Sequence, residues 1–533
     1  MKLMSYYHTL KYLKAEQICF QVYYKVCDKL RRLIGRKSIY ASHKAGNRIK
    51  FLSFPRKNIT YKGDGTFEFL NLSHTFSGAW DDRSMGDLWR YNLNYMDFIL
   101  QPEMSAAAGV EWIERFIASA PDNRIADDPY PISLRGINWI KFIARHWDEL
   151  SEQQLKNIDT FLYSQYLILG RRTERHLLAN HYLENGFSLL FAAVYFRDKV
   201  FWKKARLIID SQLKEQIMSD GAHYELSPMY HCIILERLLD CYNLLHNVDD
   251  SFFDDLTNLR KLFSEKASVM LAWLDAIVTK DDSIPLLNDS ANGVALSPGV
   301  LREYALQLGV QWNRGVLGDS GYRHVVHPGY EAILDMAQLG VSYNPGHAHA
   351  DSSTFLLWVN GGELIVDSGT STYNAGSRRD YERSTRAHNA VVVDNENSSQ
   401  VWGAFRCAQR AQVTIEEDGP QIFSLQHDGY GKKGVCCHRC FICNEESMEI
   451  IDTVKCSRKS YPVAYFHLSP GVKVLSVESD RVVTDKAVFI FKGYKTITLS
   501  QEYVSKEYNL LQDSVCLQVS FKDTLHTIIE GFC

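Results

Sequence analysis

Between Gly346 and Asp394 the chain reads GHAHADSSTFLLWVNGGELIVDSGTSTYNAGSRRDYERSTRAHNAVVVD. It gathers His347, His349, Asp351, Asp367, two tyrosines, several arginines and His388 into one segment. The runs FLLWV, ELIVD and AHNAVVVD have the apolar, β-branched character of strands. His349, Asp367 and His388 then fall near the ends of successive strands, and turns between strands bring such positions together. Two imidazoles and a carboxylate make a site for zinc or a similar divalent ion. The competing reading is a surface His-x-His pair, with Asp367 opening a turn. Ligands spaced this widely are weaker evidence than a Cys-x2-Cys pair.

Two stretches nearer the middle of the chain are also rich in polar chemistry. In HLLANHYLENGF (176–187), His181 and Glu184 stand three residues apart and share a helix face, with Asn180 beside them. In DGAHYELSPMYH (220–231), Pro228 breaks or starts a helix, and Tyr230 and His231 follow it within one turn. Polar residues massed at helix ends, between apolar helices, mark where a helical assembly opens onto a cleft. Each His or Tyr taken alone is equally a hydrogen-bonded core residue.

The elements that must position these residues divide in two. From about Asp87 to Leu308 the apolar period is helical, in LWRYNLNYMDFIL, GVEWIERFIASA, SLRGINWIKFIARHW, NIDTFLYSQYLILGRR, LENGFSLLFAAVYF, KARLIIDSQLKEQI, MYHCIILERLLDCYNLL and DDLTNLRKLFSEKASVMLAWLDAI. So many consecutive helices with short polar loops predict helical hairpins stacked in a ring or bundle. After about residue 318 the period becomes two, in many short runs separated by Gly, Asn and Asp turns, which predicts an antiparallel sandwich. Residues 1–35 read as one or two amphipathic helices and 36–85 as an irregular arm with small strands. The expected domains are therefore 1–85, 86–317 and 318–533. The cluster VCCHRCFIC has the spacing of a metal knuckle, but it sits among strand runs. Cys437 and Cys443 would share one face there and Cys440 the other, so reduced cysteines in a strand are the expectation.

A chain of 533 residues, 46% hydrophobic and 23% charged, is an ordinary globular protein too long for one core. Aromatics at 12%, including 29 Tyr, suit clefts that stack on sugar rings, and serve as well in a core. The net charge of −4 draws no polyanion, so no nucleic-acid partner is expected. The first fifty residues are different, with twelve Lys/Arg (Lys2 through Lys50) against Glu16 and Asp28. They form a solvated basic face or a surface that meets an acidic polymer, nucleic acid or anionic lipid. Lys11, Lys14 and Glu16 interrupt any secretory apolar core, and no uncharged run approaches a membrane span. Twelve cysteines without framework spacing fit a reducing compartment. The expected location is cytoplasmic. No motif speaks to oligomeric state.

These blocks, in order, carry a resemblance. LWRYNLNYMDF (88–98), YPISLRGINWIKF (130–142), HLLANHYLENGFSLLFA (176–192), DGAHYELSPMYH (220–231), PGHAHADSSTF (345–355), VDSGTSTY (366–373) and RDYERSTRAHNAVVVD (379–394) resemble the heparinase II/III family of polysaccharide lyases, related to alginate and oligoalginate lyases. The resemblance implies an (α/α) toroid followed by an antiparallel β-sandwich, the order read above. It also implies β-elimination at a uronic acid. The C5 proton is weakly acidic because it lies α to a carboxylate, and its removal builds charge on that group. The enzyme must neutralise the carboxylate, supply a base at C5 and supply an acid at the departing C4 oxygen.

By resemblance Asn180 neutralises the uronate, His181 is base or carboxylate ligand, and Tyr230 is base, acid or both. His347 is the catalytic histidine of the β domain, and Glu184 matches a glutamate near that centre. A second tyrosine is Tyr373 or Tyr381. His349, Asp367 and His388 match a mainly structural zinc triad. Arg135, Asn138, Trp139, Arg378, Arg379 and Arg383 are candidates to bind an acidic polysaccharide, since guanidinium matches carboxylate or sulfate geometry. Members that degrade external polymer usually carry a signal peptide, which makes the periplasm the family-based alternative location. The basic start of this chain instead resembles members encoded with capsule or exopolysaccharide synthesis, which points to a self-made substrate. Two other readings stand beside the lyase. One is a glycoside hydrolase using a pair from Asp220, Glu225 and Glu184. The other is a non-catalytic polysaccharide-binding protein.

Overall fold

A computed structural model describes residues 2–34, 40–55, 57–249, 251–456 and 458–532; Arg36 and Lys37 of the basic start, and Gly35 at the end of the predicted helices, lie outside the described residues. Two helices open the chain, α1 (Lys2–Leu10) and α2 (Ala15–Ile34). An extended arm follows and threads the outside of the helical half: Gly46 donates to Asp159, Asn47 to the Tyr195 carbonyl and Leu52 to Asn243. A small antiparallel sheet (Tyr61–Gly63, Thr66–Phe69, Leu72–Thr75) comes next.

The helical half comprises α3 (Asp87–Tyr95), α4 (Ala106–Ser119), α5 (Pro129–His146), α6 (Glu152–Arg171), α7 (Ala179–Tyr195), α8 (Lys199–Gln216), α9 (Pro228–Leu245), α10 (Leu256–Ile277) and α11 (Pro298–Gln307). Local chemistry sets several of their starts. Ser151 caps α6 in a reciprocal box with Gln154, and Asp198 caps α8. Ser227 and Ser297 cap α9 and α11 with proline following each. The helices α7 and α8 pack as one hairpin and α9 and α10 as another, around a shared apolar core, giving the (α/α) toroid.

The β half is an antiparallel sandwich. A four-stranded sheet (Tyr322–Val326, Tyr330–Asp335, Phe355–Val359, Gly362–Ile365) faces a ten-stranded one. Leu334, Phe355 and Leu357 of the first share a core with Phe441, Phe466, Phe489 and Leu525 of the second. The cysteine cluster lies in the strand Val435–Cys443, with Cys437 and Cys443 facing the core and Cys436 and Cys440 turned the other way.

An apolar seam and a long hairpin lock the halves together. Trp273, Ile277 and Leu287 pack on Tyr322, Ile333, Leu356 and Trp358. The long hairpin of Val488–Glu507 and Leu510–Glu530 reaches back to the toroid, where its tip residue Tyr508 joins the helical core. Within the sandwich, Gly369 (φ +74°) lets the chain pass so close to Ser505 of this hairpin that a Cβ would lie 1.8 Å from its carbonyl oxygen. The basic N-terminal segment packs on both halves. Ser5 and Thr9 of α1 accept from Gln400 and Trp402 of the β half, while Tyr24 of α2 donates to the Thr173 carbonyl.

Candidate active site

The site is organised by Asp289, in the loop between α10 and α11. Its carboxylate is fully buried and accepts four charge-assisted bonds. Arg379 reaches both oxygens, at 2.5 and 2.7 Å. His347 Nδ1 donates to Oδ2 at 2.9 Å and His349 Nε2 to Oδ1 at 2.8 Å. Burial by itself would raise this carboxyl, yet Arg379 and the two histidines hold it well below its ordinary value of 3.8. Because Nδ1 of His347 is spent as a donor, Nε2 carries the lone pair when the ring is neutral. The Tyr230 ring stacks on His347, with centroids 3.9 Å apart. The Tyr230 hydroxyl lies 3.4 Å from that of Tyr373, and burial lifts both phenols well above their usual range. Tyr373 is backed edge-on by Tyr508 at 5.2 Å and Phe405 at 5.1 Å. Phe405 also packs against His347 and leaves 42% of its surface exposed, an aromatic face at the rim.

The helical wall carries the second group. Asn180, in the first turn of α7, donates its backbone N–H and its side-chain amide to Glu225, at 2.9–3.0 Å. Glu225 thus closes the positive end of α7. Burial would raise its pKa, but His223, His347 and Asn180 keep it lowered. His347 Nε2 lies 3.8 Å from Glu225 Oε2. The residue after Asn180, His181, donates from Nδ1 to Glu174 at 3.3 Å and its ring rests on Tyr130, 4.4 Å away. Burial would lower the His181 pKa; Glu174 outweighs it and the value is raised. Tyr130 feels the charges of Glu184 and Tyr230, so these residues form one neighbourhood. Glu184 is buried 3.1 Å from Arg237, and burial pushes its carboxyl up to about 7 against the pull of that arginine.

Backbone strain sits beside the residues that meet here. Ala179 (φ +52°) precedes Asn180, Leu226 (φ +56°) follows Glu225 and Asn288 (φ +54°) precedes Asp289. Left-handed backbone in such residues costs of order 1–3 kcal/mol each and persists where surrounding structure imposes it.

The structure brings Asn180, His181, Glu184, Tyr230, His347 and Tyr373 together. Tyr381 lies elsewhere, in the helix α12 (Ser377–Glu382), and its hydroxyl donates to Glu502 at 3.0 Å. The expected sugar-binding group is largely corrected. Arg135 is buried, spent on the carbonyls of Asn94 and Ala126 and on Gln165, and burial drops its pKa to about 10. Trp139 has no exposed surface and its indole N–H faces Met96. Asn138 holds the Tyr95 carbonyl, and Arg383 holds those of Ala348, Gly403 and Arg406. Arg379 is consumed by Asp289. Arg378, which donates to Glu382 at 2.7 Å, keeps a half-buried guanidinium. The hydrolase acids are likewise committed: Asp220 accepts backbone N–H groups of Ala222, Gly318 and Ser320, Glu225 holds Asn180 and Glu184 faces Arg237. Asp289, Glu174, Tyr130, Phe405 and Tyr508 were not legible as site residues. Apart from Tyr130, which opens the block YPISLRGINWIKF, each sits in an unremarkable stretch, such as Asp289 in LLNDS, which reads as a turn.

Behind Asp289, His349, Asp367 and His388 are close and buried. His388 Nδ1 donates to Asp367 at 2.6 Å, and the His349 and His388 rings are 5.3 Å apart. His349 Nδ1, His388 Nε2 and Asp351 Oδ2 are buried without a hydrogen-bond partner. Each imidazole therefore has one nitrogen fixed by a carboxylate and the other bare, the arrangement of a metal ligand with its supporting acid. Burial lowers His349 to about 4, which keeps it neutral. Asp367 spends its oxygens on His388 and the Gly369 N–H. Among the described residues no three His, Cys, Asp or Glu side chains already form a coordinating group.

A helical toroid and an antiparallel sandwich that meet at a histidine–tyrosine cluster define the class of protein. Residues 158–305 match the heparinase II/III N-terminus and residues 309–525 the heparinase II/III-like C-terminal region. The chain belongs to the heparinase II/III family. A heparin-sulfate lyase of Bacteroides stercoris is 23% identical over 375 residues, 60% of this chain and 55% of that protein. Another, of Pedobacter heparinus, is 25% identical over 260 residues, 41% of this chain and 38% of that protein. The matches thus span about half of the first relative and less of the second. A heparinase III structure superposes with a TM-score of 0.61 at 15% identity, over 83% of this chain and 76% of that one. A mutant heparan sulfate lyase of Pedobacter heparinus superposes at 0.58 and 16% identity, over 94% and 87%. These superpositions establish the shared fold.

Asp289→Asn leaves the buried Arg379 without its counter-charge. Urea unfolding is expected to show a loss of about 3–5 kcal/mol. The native pKa of Asp289 is depressed, so its stabilisation is complete above the ordinary carboxylate value of 3.8 and drains as pH falls below it. The variant should lack that part of the acid sensitivity.

Proposed function

We propose that this protein is a polysaccharide lyase that cleaves a uronate-containing polymer by β-elimination, leaving a C4=C5 unsaturated end. The observation that carries this reading is the Tyr230–Tyr373 hydroxyl pair stacked beside His347, whose Nδ1 is pinned by Asp289. A general acid and a general base within one hydrogen-bonded neighbourhood are what elimination needs. The relatives' names, heparin-sulfate lyase, agree with it. Hydrolysis is disfavoured because Asp220, Glu225 and Glu184 are each taken up by internal partners, and a hydrolase needs two carboxylates open to the scissile bond.

In this reading the sugar stacks on Phe405. His181, held and made more basic by Glu174, meets the uronate carboxylate. The amide of Asn180 is committed to Glu225, so Asn180 acts by holding the start of α7 in place. Nε2 of His347 takes the C5 proton. The Tyr230–Tyr373 pair returns a proton to the C4 oxygen as the bond breaks, and the electrons of the C5–H bond become the C4=C5 π bond. Arg378 is the remaining arginine candidate for an acidic substituent. A self-made capsule or exopolysaccharide belongs among the substrates, beside glycosaminoglycans. We further propose that His349 and His388, with Asp367 or the unpartnered Asp351, hold a divalent ion, most simply zinc. Bound there, the ion supplies structural cross-linking of the β-domain loops behind Asp289.

The direct test is ultraviolet absorbance of the unsaturated product over a panel of heparan sulfate, hyaluronan, chondroitin, alginate, polyglucuronate and native capsule. Tyr230→Phe and His181→Ala are each expected to lower kcat/KM by about two to four orders of magnitude; full activity in both would end this mechanism. Phe405→Ala is expected to raise KM with kcat nearly unchanged, the mark of lost uniform binding. Elemental analysis is expected to find one equivalent of metal in wild type. His349→Ala should lose it, and should lower Tm more than activity.

A further inference from the structure

The helix α2 (Ala15–Ile34) turns two different faces outward and inward. Inward it is well bonded. Tyr24 donates to the Thr173 carbonyl at 2.6 Å and Gln17 to the Leu177 carbonyl at 3.3 Å. Both acids of the segment are used on this side: Asp28 pairs with Arg172 at 2.8 Å and Glu16 with Arg175 at 3.5 Å. Outward lie Ile18, Val22, Val26 and Leu30, four residues apart in turn, so they form one stripe along the helix. They are between 45% and 58% exposed, and Tyr23 beside them is 55% exposed. Tyr7 and Leu10 of α1 are exposed as well. Lys25 and Lys29 stand exposed along the stripe, and neither forms an ion pair among the described residues. Lys11 is exposed at the turn between the helices, beside the Tyr12 ring.

We infer that this outward face docks on an anionic phospholipid surface. An apolar stripe with tyrosines and flanking lysines is the composition of a helix that lies in a membrane interface, where the stems of Lys follow the apolar boundary and their ammonium groups meet lipid phosphate. The distribution of charge selects this occupant. The two acids of α2 are paired against the protein, and what remains outward is cationic. A second copy packed on the same stripe would set Lys25 and Lys29 against their own counterparts, a like-charge contact that a lipid surface avoids. Among the described residues no helix is long and apolar enough to cross a membrane, so the attachment is peripheral. It would hold the toroid at the surface through the loop that carries Glu174 and leads into α7. This inference does not depend on the lyase reading.

The test is co-sedimentation of the full chain with vesicles of phosphatidylcholine alone and of phosphatidylcholine with about one-third phosphatidylglycerol. Wild type is expected to bind the anionic vesicles, to release at high ionic strength and to leave the neutral vesicles alone. Val22→Glu with Val26→Glu, and separately Lys25→Glu with Lys29→Glu, should each lower the partition coefficient by at least about tenfold. Their Tm should stay at the wild-type value, because all four side chains are exposed. No binding to anionic vesicles overturns the proposal, and so does equal binding to both compositions. A concentration-dependent dimer abolished by the valine substitutions would assign the stripe to a second copy instead.

Discussion

The buried carboxylate of Asp289 is the constraint on which the site rests. It belongs to the toroid, while the three side chains that satisfy it, His347, His349 and Arg379, belong to the sandwich. A charge in a dry interior is tolerated only when paired and fully hydrogen-bonded. The two halves must therefore meet in this one register. One pairing orients the histidine under Tyr230, fixes a second histidine facing His388 and anchors the arginine-bearing helix α12. The apolar seam around Trp273 and Tyr322 supplies contact area, but apolar surfaces tolerate sliding. The ionic cluster does not, because each displaced donor would leave an unpaired charge.

The neighbouring elements serve the same end. Glu225 closes the start of α7 and lies 3.8 Å from His347, so the helical wall and the sandwich meet again at one side chain. The long hairpin inserts Tyr508 edge-on behind Tyr373 and so helps to fix the position of that phenol. Left-handed residues next to Asn180, Glu225 and Asp289 show that local preference has yielded at each of these points to tertiary demand. Beneath them Lys141, Arg237, Asp240 and Tyr304 form a buried charged network under Glu184. It keeps ionised groups inside the toroid at hydrogen-bonding distance from one another.

How far the sequence could be read follows from the range of each interaction. Helical and alternating periods are local, and they delivered the helical half, the sandwich and the cysteine strand with its two faces. Even so α11 escaped, being short and without a long apolar period. Asn180, His181, Tyr230 and His347 stood out because several polar residues crowd their segments. The arginines misled. Residue type announces an affinity for carboxylate or sulfate, but it does not say whether a carbonyl or an acid of the same protein has already claimed the guanidinium, as happened to Arg135, Arg379 and Arg383.

The sequence by itself determined the order of the two folds, the starts of the capped helices and the segments dense in histidine and tyrosine, since periodicity, caps and composition act over a few residues. Only the tertiary structure decided that Asp289 is the hub, that Tyr373 and not Tyr381 meets Tyr230, that Glu174 stands behind His181 and that Phe405 faces the rim. Those assignments depend on burial and on partners as distant in the chain as Asp289 and Arg379. No local pattern records which of many equivalent acids will be enclosed when the sandwich closes on the toroid.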